Sequence, residues 1–112
     1  ASEIAFLMRD DNGIVQLWLI SPQGGSLRQL TQCATNIQSA FNWHPSGKWL
    51  GFVLENRIAC CDVQTGEIDF LTERHDNPPS ADAIVFSPDG RQVAWMEDVE
   101  GFRQLWVTET GR

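Results

Sequence analysis

The segment Trp43-His44-Pro45-Ser46-Gly47-Lys48-Trp49-Leu50-Gly51-Phe52 superimposes without a gap on Phe86-Ser87-Pro88-Asp89-Gly90-Arg91-Gln92-Val93-Ala94-Trp95, 43 positions later. Two further correspondences keep the same order. Gln16-Leu17-Trp18-Leu19 matches Gln104-Leu105-Trp106-Val107, and Leu27-Arg28-Gln29-Leu30-Thr31 matches Ile68-Asp69-Phe70-Leu71-Thr72. A chain that repeats itself at this interval builds one supersecondary unit several times. Each unit then buries against its neighbours a face that it cannot bury alone.

Each repeat reads as four antiparallel strands, A to D. Strand A is Ser39–Trp43 and Asp82–Phe86, followed by a Pro-Ser-Gly or Pro-Asp-Gly turn in which Pro presets φ and Gly tolerates the tight exit. Strand B is Ile4–Met8, Trp49–Leu54 and Gln92–Met96, and strand C is Val15–Ile20, Arg57–Cys61 and Gln104–Thr108. Strand D ends at Leu30-Thr31 and Leu71-Thr72. Leu50 and Phe52 fall on one face of strand B, Gly51 and Val53 on the other, so both faces are apolar and both must be covered. The small residue ahead of each aromatic (Ala5, Gly51, Ala94) lets neighbouring sheets come close.

Such a unit, with a period in the low forties, is a β-propeller blade. The expected fold is all-β: a β-propeller fragment of about two and a half four-stranded meander blades. Residues 1–32 hold strands B-C-D, 33–73 hold A-B-C-D and 74–112 hold A-B-C. Propellers close with about four to eight blades, so an excerpt of a longer protein is expected. The incomplete outer blades would leave strand edges open, and the isolated fragment is expected to self-associate through them.

The net charge is −7 and the eight Lys and Arg are scattered, which argues against nucleic acid and anionic membrane surfaces. No apolar run approaches the roughly 18 residues of a membrane span. Cys33, Cys60 and Cys61 show no metal-type spacing, and Cys60 aligns with Leu19 and Val107 as a small buried hydrophobe. Adjacent residues on a strand face opposite ways, which argues against a Cys60–Cys61 bridge.

Ser87-Pro88-Asp89-Gly90-Arg91, the strand ending Val93-Ala94-Trp95, and Gln104-Leu105-Trp106-Val107 together resemble the WD-repeat-like blades of TolB and its relatives. Leu30-Thr31 and Leu71-Thr72 resemble the Leu-Thr that closes such blades. The chain departs from that pattern at Ser46, where the family has Asp, and at Ala59, where it has Trp. The resemblance implies a periplasmic partner-binding propeller, the regulatory propeller of a prolyl-oligopeptidase-type serine peptidase, or part of a polysaccharide lyase. Fold alone does not choose among these. Three apparently unpaired cysteines point instead to the cytoplasm.

In a four-strand meander the A–B and C–D turns share one end, and the B–C and D–A loops share the other. Only the second end carries loops of varied length, and loops on a rigid scaffold are where function concentrates. Asp10, Asp11, His75, Asp76, Glu97, Asp98 and Glu100 lie there and are the candidate partner-binding residues; solvated hairpin tips would have the same composition. A net-negative end would steer a basic protein or peptide. No GxSxG elbow, HExxH or phosphate loop occurs, and Asp10-Asp11-Asn12-Gly13 reads as a hairpin turn rather than a calcium loop. No cofactor is expected. His44 stands where Ser87 stands and reads as a local hydrogen-bonding residue. The leading expectation is a noncatalytic protein- or peptide-binding scaffold, and the alternative is a propeller segment of an enzyme.

Overall fold

A computed structural model describes residues 3–112. Its strands form three antiparallel sheets in chain order. β1 (Ile4–Arg9), β2 (Val15–Ile20) and β3 (Leu27–Gln29) make the first. The second contains β4 (Asn42–Trp43), β5 (Trp49–Leu54), β6 (Arg57–Asp62) and β7 (Ile68–Phe70). The third contains β8 (Val85–Phe86), β9 (Gln92–Val99) and β10 (Phe102–Glu109). Consecutive strands pair in every sheet, which gives B-C-D, A-B-C-D and A-B-C, with no helix among the described residues.

The alternation of side chains sends one apolar set to each side of the second sheet. Leu50, Phe52, Leu54, Ala59 and Cys61 meet Leu17 and Leu19 of the first sheet, with Leu30 and Ile37 in the same cluster. Val53, Ile58 and Cys60 meet Ile84, Phe86, Val93 and Trp95 from the side of the third sheet. Phe52 and Trp95 therefore hold equivalent buried positions in successive sheets, as the repeat requires. Gly51 sets the second contact: a Cβ there would lie 2.5 Å from Phe86 Cζ and 2.6 Å from Ile84 Cδ1.

The Leu-Thr pairs have a defined job. Leu30 N–H donates to Leu17 O, and Leu71 N–H to Ile58 O. As strand D leaves the ladder, Thr31 Oγ1 accepts Leu17 N–H at 3.0 Å and Thr72 Oγ1 accepts Ile58 N–H at 3.1 Å. A hydroxyl thus replaces the missing carbonyl, and strand C keeps its amides satisfied. At the opposite end Ser87 Oγ accepts from Gln92 N–H and donates to Asp89. His44, its counterpart, bonds locally to Ser46 and also reaches the next sheet, its Nε2–H donating to Gly90 O at 2.8 Å. With Nε2 protonated, Nδ1 is left to accept from the Ser46 N–H.

Two expectations need correction. Strand A is shorter than Ser39–Trp43 and Asp82–Phe86, because the preceding residues bond by other routes. Ser39 Oγ takes Val53 N–H, Ala40 N–H goes to Ala81 O, and Ser80 N–H goes to Met96 O. The expected Glu97–Phe102 loop is mostly strand. Glu100 (φ 51) and Gly101 (φ 83) make a two-residue turn, and the ladder continues to the Val99–Phe102 pair.

Cys60 and Cys61 are buried on opposite faces and free. Burial pushes their thiols up, to about 11 and about 12 from 9.0. Neutral thiols in the fold then favour it fully below pH 9, and that stabilisation is lost as pH rises through those values. The chain has no tyrosine to compete in this range. Stability by urea unfolding should therefore fall from pH 9 to 11, and a Cys60→Ala/Cys61→Ala variant should show a flatter profile. Gly51→Val should cost about 1–3 kcal/mol by overpacking Phe86 and Ile84. Thr72→Val should cost about 1–3 kcal/mol by orphaning a buried amide. Hydrogen exchange should localise the second loss to Ile58.

Candidate functional site

Residues 71–84 carry the chain from β7 to β8, and a series of backbone bonds fixes their course. Thr72 is held by Ile58 N–H and by Arg57 Nε–H, which donates to Thr72 O. His75 N–H then donates to Asn56 O in the β5–β6 turn. Further on, Pro79 bridges to Glu97 and Ser80 bonds Met96, both on β9. The connection is thus pinned first to the second sheet and then to the third, which lays His75 across their boundary.

There His75 Nδ1 lies 2.5 Å from Glu97 Oε2. Trp95 Nε1–H donates to the same oxygen at 2.9 Å. Trp95 and Glu97 are two apart on β9, so they share a face. A carboxylate oxygen that accepts from both neighbours places an imidazole proton on Nδ1. The ring stands edge-on to Trp95 and Trp106, at centroid distances of 5.5 and 6.1 Å. Beside it opens a cleft of about 310 Å³, lined by residues 71–75, Trp95, Trp106, Val107 and Thr108. A second cleft, of about 390 Å³, lies against the Glu55-Asn56 turn and shares Arg74 with the first. Glu55 and Asn56 both adopt positive φ, a costly backbone for non-glycine residues, and Gln38 clamps Asn56 through its N–H and its side chain.

Of the seven candidate residues, only His75 and Glu97 are in contact. Glu97 was expected on a loop but is buried within β9, 3% exposed, because it occupies the inward position that Leu54 holds in the previous repeat. Asp98 also lies on β9, exposed and 3.4 Å from Arg103 Nε, while Glu100 sits in the exposed turn beyond it. Asp76 is exposed on the connection. Asp10 and Asp11 lie on the β1–β2 hairpin, one sheet removed. Asp11 is exposed, but Asp10 organises its own turn: its carboxylate accepts Asn12 N–H, Ile14 N–H and Gln16 Nε2–H. The bonds from Ile14 and Gln16 hold its carboxyl below the usual range. Trp106 and Arg74 were not anticipated as lining residues, nor Trp95 as a donor. The available signal was a carboxylate at the apolar-face position of a repeat. Among the described residues no third ligand-type side chain joins His75 and Glu97 to form a metal site. His44, the other histidine, sits at the short-turn end.

No protein-family model matches the chain. It is 71% identical over 111 residues to the uncharacterized protein YidR of Escherichia coli (strain K12), a match that covers 99% of the chain and 26% of that protein. The chain thus spans about a quarter of the curated relative's length. Among solved structures, TolB from Acinetobacter baumannii superimposes with a TM-score of 0.69 at 20% identity, covering 96% of the chain and 28% of TolB. The tricorn protease superimposes with a TM-score of 0.72 at 15% identity, covering 98% and 11%. Both likenesses are of fold. The three sheets are blades of a TolB-like β-propeller, a fold found in TolB proteins and in a propeller-bearing protease.

Proposed function

We propose that this segment is a noncatalytic propeller scaffold that binds a protein or peptide at its B–C and D–A loop end. The observation that carries the reading is the long 71–84 connection, pinned to the second and third sheets and bordering two clefts at that end. The β9–β10 hairpin adds to it. The ladder runs two pairs beyond Glu97–Gln104, about 7 Å at roughly 3.4 Å per residue, and ends at an exposed Phe102 flanked by Asp98 and Glu100. The short-turn end also has two clefts, of about 340 and 430 Å³ beside Lys48 and Pro45, but its turns are short and satisfy their own backbone groups. Among the described residues β1 and β10 each have one unpaired edge, and the same reading has the isolated segment adding strands to itself there.

An enzyme segment is the second reading, favoured by the oriented His75–Glu97 pair and by the fold likeness to the tricorn protease. No nucleophile is hydrogen-bonded to His75 among the described residues. Charge reversals decide whether the loop end binds. Asp76→Lys, Asp98→Lys and Glu100→Lys together should weaken capture of a purified partner at least tenfold and reduce its salt dependence. Lys48→Glu and Arg91→Glu should leave capture within about twofold. Equal or larger losses from the second set would identify the other end as the binding face. Glu97 is left out because a reversal there would bury an unpaired charge.

A further inference from the structure

We infer that the two outer faces of the stack bind each other between copies, the third sheet of one chain taking the first sheet of a second, head to tail. Six of the eight large apolar side chains that stand exposed among the described residues lie on these faces. Ile4, Met8 and Leu27 are on the first sheet, and Val85, Leu105 and Val107 are on the third. The second sheet, covered on both sides, exposes none. On the third sheet a hollow of about 180 Å³ opens beside Val85, Ala94, Met96 and Leu105. Apolar surface gathered in this way marks a contact with another protein. The terminal units of a stacked array stay soluble by carrying a polar outer face, and neither of these sheets does.

The chain's own boundaries define what fits. Leu17 and Leu19, on the face by which the first sheet receives the second, correspond to Ile58 and Cys60 on the second sheet. The same positions on the third sheet are Leu105 and Val107, and they are uncovered. The entering faces correspond likewise: Leu50 and Phe52 of the second sheet and Val93 and Trp95 of the third are buried, whereas Ile4 and Phe6 of the first sheet face outward. The first boundary is carried by strands B and C of the sheet that enters it, and the first sheet has both strands. Each copy thus presents one receiving face and one entering face, which fit each other and not themselves. Head-to-tail contacts build rings where the rotation closes. Two copies bring six sheets, within the about four to eight of closed propellers, so the pair closes through two such junctions. The contact uses faces rather than the edges of β1 and β10, and it leaves the loop end free.

The test places one carboxylate on each face. Ala94→Glu on β9 and Ile20→Glu on β2 are both on central strands, away from the open edges. Sedimentation of the full chain should show a pair for the wild type and a monomer for either variant alone. An equimolar mixture should return pairs, because one junction is then intact while the other joins the two carboxylates. These pairs should be held about tenfold or more weakly than the wild type, since the second junction no longer closes the ring. Recovery on mixing also shows that both variants are folded. Pairs formed by either variant alone would overturn the proposal in favour of like-with-like faces or of strand addition at the edges. A wild type that stays monomeric or grows past pairs would overturn it too, as would a mixture that stays monomeric. Ala94→Gln or Ile20→Gln replaces a glutamate variant whose near-ultraviolet circular dichroism shows loss of the fold, and the same pattern is expected. The loop-end reading does not depend on the result, since neither substitution touches its loops.

Discussion

The approach of the third sheet to Gly51 governs how the rest of the molecule is arranged. Ile84 and Phe86 press where a Cβ would stand, so second and third sheets meet at a distance set by missing atoms on one strand. From that contact the side-chain alternation fixes everything else: Val53, Ile58 and Cys60 turn toward the third sheet, and Leu50, Phe52, Leu54 and Cys61 turn toward the first. A sheet apolar on both faces has no solvated option. Stacking is then the arrangement that buries both, and the meander repeats because each sheet exposes a fresh apolar face in doing so.

Stacking alone does not align the sheets; polar contacts at the two ends do. At the short-turn end the His44 imidazole donates into the next sheet's turn at Gly90, whose carbonyl also accepts from Thr110 Oγ1. At the outer edge Arg112 reaches Asp69 on β7 and stacks 4.2 Å from the Trp49 ring centroid. At the loop end the 71–84 connection is bonded to both sheets that it joins. Each of these contacts uses a group that a repeat-wide pattern would not supply, which is why the blades are similar in strand order and different in detail.

The strand order, the faces and the turns were legible because they depend on local rules: period-2 alternation, Pro and Gly in tight turns, and a Leu-Thr ending recognisable twice. The exposed loop carboxylates were legible for the same reason. What was not legible depended on contacts distant in sequence. Strand A came out short because Ser39 Oγ and the Ala40–Ala81 bond take backbone groups that sequence alone assigns to a ladder. Glu97 was read as a loop residue because Glu100-Gly101 is a weaker turn signal than Asn-Gly, so the hairpin was expected to open three residues early. Its meeting with His75 depends on the Pro79 bridge, and no spacing rule links those residues.

The repeat also shows where the chain departs from what folding asks of it. Positions that carry the stacking contacts change within apolar limits: Phe52 becomes Trp95, Leu50 becomes Val93, Cys60 becomes Val107. Leu54 to Glu97 breaks that rule, and it does so beside a change from Ala34 to His75 and a Trp that can donate to the new carboxylate. Three coordinated changes at one boundary are needed to keep a buried charge satisfied, since any one alone would leave an unpaired polar group costing about 1–3 kcal/mol or more. The result is an imidazole bonded to a buried carboxylate and set edge-on to two indoles where the second and third sheets meet. Apolar packing alone would let the ring slide, whereas hydrogen bonds from His75 and Trp95 to one carboxylate oxygen fix where the connection meets β9.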